Sequence, residues 1–192
     1  ERGFSTRFDA KLDMRMNQGD KLSAYEVINE YEEEQLKKMF WAYADLKNAP
    51  KLARTIVAER KNNPIETSEQ LNELLKPLLF KGKENKILAQ IYQAIRIEVN
   101  QEIEVLKEFL LQTEEVLKPE GRLSLISYHS LEDRLVKRYI RSGLFEGEPE
   151  KDFYGNISVP LKKIGGLITP SAEEIAQNNR ARSAKLRIAE CL

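Results

Sequence analysis

The sequence predicts an α/β protein, helical over its first two thirds and mixed over its last third. Three observations carry that expectation. Between residues 87 and 117 the apolar positions Leu88, Ile91, Ile95, Val99, Ile103, Leu106, Leu110 and Leu117 step mostly by three and four, placing one stripe along one face of a long helix. Residues 122–128, RLSLISY, are short, apolar and bounded by turn signals, which reads as a buried strand. Residues 184–189, AKLRIA, alternate in polarity and read as a final strand.

The other elements follow in order. Residues 1–22 lack a period and are punctuated by Gly3 and Gly19, so they read as a long loop. Ser23 and Glu26 have capping-box spacing and start a helix. Leu36, Met39, Phe40, Tyr43 and Ala44 give helical spacing within residues 32–46. Pro50 fits the first turn of a further helix, with Ala53, Ile56, Val57 and Arg60 behind it and Pro64 as its stop. Thr67 and Gln70 form a second capping box, opening a short helix to about residue 76. A polar break over residues 81–86 precedes the long helix, on which Glu104 and Lys107 form an i,i+3 pair. Residues 118–121, KPEG, stop it. After the first strand, Ser130 and Asp133 have capping-box spacing on a helix through Val136, Tyr139 and Ile140. Residues 143–156 are loop-like. Residues 157–159, before Pro160, fit a short strand or a loop, and residues 161–169, with Gly165 and Gly166, fit no element. Pro170 and Ser171 open a small capped helix. A boundary is expected near residue 110.

Composition excludes several classes. Apolar residues are 41% and charged residues 32%, enough for a core under a heavily charged surface. Lys plus Arg and Asp plus Glu are 31 each, so bulk charge gives no nucleic-acid footprint, and any such surface needs local segregation of charge. One cysteine, Cys191, cannot form an internal disulfide and suits a reducing compartment. One histidine and one cysteine do not make a zinc site without several carboxylates. No run approaches the ~20 apolar residues of a membrane-spanning helix, and no signal peptide or Walker loop is present. The chain opens on Glu1 rather than Met, which reads as processing or as a piece of a longer protein.

Four groupings bear on chemistry. In residues 126–134, ISYHSLEDR, a strand passes directly into a helix, placing Ser127, Tyr128 and His129 at the strand end where α/β sheets bind ligands. From spacing alone, a cap at Ser130 and a surface linker at His129 is the commoner outcome. Asp13 and Arg15, flanked by Met14 and Met16, suit either a substrate loop or a docked loop with buried methionines. Gln93, Arg96 and Asn100 share a helix face, and tying that helix to the N-terminal loop is the more frequent use of such groups. Arg180, Arg182, Lys185 and Arg187 place four cations in eight residues, a phosphate site or a solvated face balanced by Glu173 and Glu174.

Taken together, four segments change the weighing: residues 1–5 (ERGFS) with 12–16 (LDMRM), residues 93–100 (QAIRIEVN), residues 121–134 (GRLSLISYHSLEDR) and residues 179–187 (NRARSAKLR). In this order and spacing the chain resembles the RsmH (MraW) family over essentially its whole length, although Asn179 stands where the family usually has proline. The resemblance implies an S-adenosylmethionine-dependent methyltransferase acting on the exocyclic N4 of a cytidine in 16S ribosomal RNA of the small subunit, in the cytoplasm. It implies a Rossmann-like methyltransferase domain carrying an inserted all-helical domain. On that plan residues 1–22 join the two, residues 23–110 form the helical substrate-recognition domain, and residues 111–192 form the C-terminal half of the Rossmann-like domain. The family's glycine-rich cofactor loop and acidic ribose contact lie upstream of the ERGFS segment, so this chain is expected to hold no main cofactor-binding segment and to be inactive alone.

The resemblance makes Ser127, Tyr128 and His129 substrate-positioning residues. It makes Arg2, Arg15, Arg134, Arg180, Arg182 and Lys185 contacts for RNA phosphates. Half a Rossmann sheet leaves strand edges unpaired, which favours self-association, a homodimer being one form. The competing expectation is a non-enzymatic helical module that binds RNA or protein.

Overall fold

The computed structural model describes residues 2–192; Glu1, which opens the first family-like segment, lies outside them. The chain divides into two compact units, one running through Glu102 and the other spanning Ile103–Leu192.

The first unit contains α1 (Ala24–Glu30), α2 (Glu33–Ala44), α3 (Ala49–Glu59), α4 (Ser68–Leu75) and α5 (Glu84–Val99). Both expected capping boxes form: Ser23 with Glu26 on α1, and Thr67 with Gln70 on α4. Each satisfies helix N-terminal amides that have no partner inside the helix. Pro50 sits in the first turn of α3, where its missing amide costs nothing. The apolar faces meet in a core that includes Leu36, Phe40, Leu52, Ile56, Leu71, Ile91 and Ile95, all fully buried.

The loop before α1 is stitched to this core. Lys11 bridges to Thr67 in antiparallel fashion, and the Leu12 amide donates to the Glu66 carbonyl at 3.0 Å. Ser68 Oγ, itself buried, accepts from the Ala10 amide and donates to the Phe8 carbonyl. Met14 is fully buried, a placement that stabilises by about 1.5–3 kcal/mol, whereas Met16 is 60% exposed. Of the two methionines, only Met14 therefore packs as the docked-loop expectation requires.

The expected single helix over residues 87–117 is two helices, α5 and α6 (Glu102–Val116). Gln101 has φ 49, the left-handed region, and the helix cannot run through it. The apolar stripe is continuous across the break, so periodicity could not reveal it. The cause is Asn100. Its Oδ1 accepts from the Met16 amide at 2.7 Å, and its Nδ2 donates to the Met14 and Arg96 carbonyls at 2.8 Å. The boundary expected near residue 110 falls inside α6; the units divide at Glu102, just after the break.

The second unit holds α6, β1 (Arg122–Ser127), α7 (Ser130–Ser142), β2 (Leu161–Ile168), α8 (Ala172–Gln177) and β3 (Lys185–Cys191). The strands form one sheet in the order β1-β3-β2, with both pairings antiparallel. Residues 161–169, unassignable from sequence, are mostly β2. Its register against β3 shifts between Ile164 and Ile168, where Gly165 takes φ 64, as a bulge requires. The glycines that obscured the strand are the ones that bend it. Residues 157–159 form no strand of the sheet; Ile157 makes only an isolated bridge to Lys151. Leu110, Leu123, Val136, Tyr139, Ile140, Leu161 and Ala189 form the second core. Tyr139 stacks on Phe145 with centroids 4.8 Å apart and donates its hydroxyl to Glu114. Among the described residues, no helix is long and apolar enough to cross a membrane.

Candidate functional site

Two places gather the residues that the sequence singled out, one in each unit. In the second unit, β1 ends at Ser127 and α7 begins at Ser130, with Tyr128 and His129 between them. The expected capping box shifts by one residue. His129, not Ser130, is the N-cap: its Nδ1 accepts from the Glu132 amide at 3.4 Å. Glu132 reaches back to accept from the Tyr128 amide at 2.9 Å and the His129 amide at 3.4 Å. The other ring nitrogen, Nε2, lies 3.2 Å from Glu132 Oε1. Burial pushes the Glu132 carboxyl up, but the His129 ring and these two amides outweigh it and hold the group below its ordinary range.

Asp133 is freed from capping and does something else. Its carboxylate accepts from Arg187 Nε at 2.7 Å, Arg187 Nη2 at 3.2 Å and Lys185 Nζ at 3.2 Å. The expected balance of these cations by Glu173 and Glu174 is thus corrected: Asp133 on α7 is the counter-charge. Ser127, directly opposite Lys185 in the sheet register, is buried, whereas Tyr128 is well exposed. The corner is therefore rigid, with one outward aromatic. Glu132 and Asp133 are both engaged by protein partners, Glu132 by the amides of the cap and Asp133 by Arg187 and Lys185.

In the first unit, Phe4, Ser5, Thr6 and Arg7 face Ala89, Tyr92, Gln93 and Arg96 of α5 across a cleft of about 420 Å3, with Met14 at its floor. Two of the family-like segments meet here. The Tyr92 hydroxyl is committed to the Ser68 carbonyl and to Asn72, leaving its ring as wall. Burial pushes that hydroxyl up to about 12. Arg96 is held by Glu102 through two hydrogen bonds, 2.7 and 2.9 Å. Gln93 is half-buried, and its amide has no hydrogen-bond partner among the described residues; the Arg7 guanidinium likewise has none. The cleft thus presents an amide with both donor and acceptor, a free cation and one exposed aromatic, Phe4. Asn100, from the same helix face, makes the loop tie. No periodicity marks Phe4 to Arg7 as part of a site; the ERGFS segment was the only signal.

The proposed phosphate contacts separate into two groups. Arg2 donates to the Arg15 carbonyl at 2.7 Å and lies 5.4 Å over the Phe4 ring. Arg15 is occupied by Asp13, at 2.8 and 3.0 Å, and by the Gln18 and Asp20 carbonyls. This is a brace for the loop, and Arg15 in turn holds the Asp13 carboxyl below its ordinary range. Lys185 is engaged by Asp133. Arg134, on α7, and Arg180 and Arg182, on a short turn of 3₁₀ helix, are exposed, and their side chains have no partner among the described residues.

Fold and sites define an α/β protein that pairs a helical unit, bearing a cleft of mixed polarity, with a unit built on a small antiparallel sheet. The chain belongs to the MraW methylase family, whose pattern it matches over residues 1–192. The ribosomal RNA small subunit methyltransferase H of Christiangramia forsetii is 92% identical over 192 residues, 100% of this chain and 64% of that protein. The protein of the same name from Flavobacterium johnsoniae is 68% identical over 190 residues, 99% of this chain and 63% of the relative. That of Bacteroides fragilis is 52% identical over 191 residues, again 99% and 63%. The chain spans just under two thirds of the length of these curated relatives.

Proposed function

We propose that this chain is the substrate-handling part of a methyltransferase that modifies ribosomal RNA of the small subunit. The reaction is methyl transfer from S-adenosylmethionine to the exocyclic N4 of a cytidine in 16S ribosomal RNA, carried out in the cytoplasm. The observation that carries this reading is the 92% identity, over the whole chain, to a protein named for small-subunit ribosomal RNA methylation. On this reading the parent is a Rossmann-like methyltransferase with a helical insertion, and its main cofactor-binding segments lie upstream of this chain.

The donor supplies an electrophilic sulfonium methyl. The cytosine amine is a poor nucleophile because its lone pair is delocalised into the ring, so the rate depends on holding it in line. A base in a stacked helix must leave the stack to be reached. The cleft of the first unit suits an extruded nucleotide. Its exposed aromatic, Phe4, takes a base face, the Gln93 amide reads a base edge, and Arg7 meets a phosphate. Tyr128, held outward on a rigid corner, offers a second stacking surface, with Ser127 and His129 as its supports. Arg134, Arg180 and Arg182 serve the RNA backbone.

The test is to incubate the longer parent protein with S-adenosylmethionine carrying a labelled methyl group and small subunits lacking the modification, then analyse the RNA nucleosides by mass spectrometry. Label in N4-methylcytidine is expected. Label confined to another nucleoside, or none, overturns the reading.

A further inference from the structure

We propose that a groove between α7 and the β2–β3 edge of the second unit is a channel for the phosphodiester backbone of a nucleic-acid strand. This goes beyond the cleft described above and rests on the preceding reading only for the class of substrate.

The groove encloses about 230 Å3 and is lined by Lys137, Ile140 and Arg141 of α7, Lys163 and Gly166 of β2, and Arg187 and Ile188 of β3. Four of the seven lining residues are cations and none is acidic. The chain as a whole is neutral, with 31 residues of each sign, so the segregation is local. Two half-buried lysines elsewhere are neutralised by carboxylates, Lys37 by Glu34 and Lys107 by Glu104. Here Lys137, Arg141 and Lys163 have no acidic partner among the described residues. Helix geometry sets up one wall. Arg134, Lys137 and Arg141 recur at steps of three and four on the exposed side of α7, opposite Val136 and Tyr139.

Arg187 is the unusual member. Asp133 holds its Nε and Nη2, which fixes the plane of the guanidinium and leaves Nη1 without an acceptor among the described residues. A pre-oriented guanidinium loses little freedom on meeting a phosphate. Ile140 and Ile188 supply an apolar floor beside the cations, which suits alternating phosphate and sugar. A bilayer surface, by contrast, cannot enter a recess of this size.

The experiment measures binding of a short labelled single-stranded oligoribonucleotide to the chain by fluorescence anisotropy across a salt series. The variants are the triple substitution Lys137→Gln, Arg141→Gln, Lys163→Gln and a control removing three other exposed cations, Lys47→Gln, Lys51→Gln, Lys61→Gln. The groove triple is expected to weaken binding at least tenfold at low salt. It should also reduce the slope of log affinity against log salt by about 2, since each backbone contact on a single strand contributes about 0.7. The control should change the slope by far less. Equal effects of the two triples would overturn the channel while leaving the methyltransferase reading intact. So would unchanged RNA affinity with loss of binding to vesicles containing anionic lipid. If the wild-type chain binds no strand, the channel falls, and the methyl-transfer assay on the parent decides the broader reading by itself.

Discussion

Asp133 on α7 grips Arg187 on β3 in a two-point contact, 2.7 Å from Nε to Oδ1 and 3.2 Å from Nη2 to Oδ2, with both side chains nearly buried. The contact fixes the helix that starts at the strand end to the central strand of the sheet. Asp133→Ala leaves the guanidinium buried without a counter-charge. Loss of one partner of such a pair costs about 3–5 kcal/mol. Urea unfolding should show that loss as a lower midpoint at unchanged slope.

The same contact sets a pH dependence. Burial pushes the Asp133 carboxyl up, but Arg187 and Lys185 outweigh it and hold the folded-state pKa below the ordinary 3.8. A group whose pKa is lowered on folding contributes stability above its unfolded pKa and loses it as pH falls through the folded value. Wild-type stability should therefore decline more steeply below about pH 4 than that of Asp133→Asn, which has no such group to titrate. Unfolding curves at a series of acidic pH values check the difference.

His129 works through its ring nitrogen as a helix cap. His129→Ala should destabilise the chain by about 0.5–2 kcal/mol, and His129→Asn, a better cap, should recover most of it. If positioning of the corner is its whole role, kcat/KM of the parent protein follows the same order, with Asn near wild type. A parent that loses activity equally in both variants would instead give the imidazole a direct contact with substrate.

These cases show what local pattern can and cannot reveal. The boxes at Ser23 and Thr67 were legible because each is a local bargain between residues three apart. In ISYHSLEDR two overlapping boxes compete, His129 with Glu132 and Ser130 with Asp133. Nothing local decides between them; Arg187 and Lys185, far along the chain, recruit Asp133 and leave the cap to His129. The break after α5 was invisible for the same reason, since Asn100 answers to Met14 and Met16, far along the chain, as well as to its own helix. Strand β2 was hidden by the glycines of its own bulge. Of the cleft, sequence spacing offered only the Gln93, Arg96, Asn100 face, while the opposite wall carries no periodic signal at all.

Gln101 offers a direct check on that helix break. Its φ of 49 is strained for a residue with a side chain. Left-handed backbone costs about 1–2 kcal/mol for such residues and little for glycine, partly offset by glycine's freer unfolded chain. Gln101→Gly should therefore raise the thermal midpoint slightly. A fall in the midpoint would mean that the chain prefers a continuous helix through this point.

The most direct measurement of the central claim, that the first unit's cleft receives the RNA, is hydrogen exchange read by mass spectrometry on the parent protein with and without a substrate RNA fragment. The account predicts slowed exchange in the peptides covering Phe4 to Arg7 and the facing turn of α5 around Gln93, and loss of that protection in Gln93→Leu. RNA that binds while leaving both segments at their free exchange rates would contradict it.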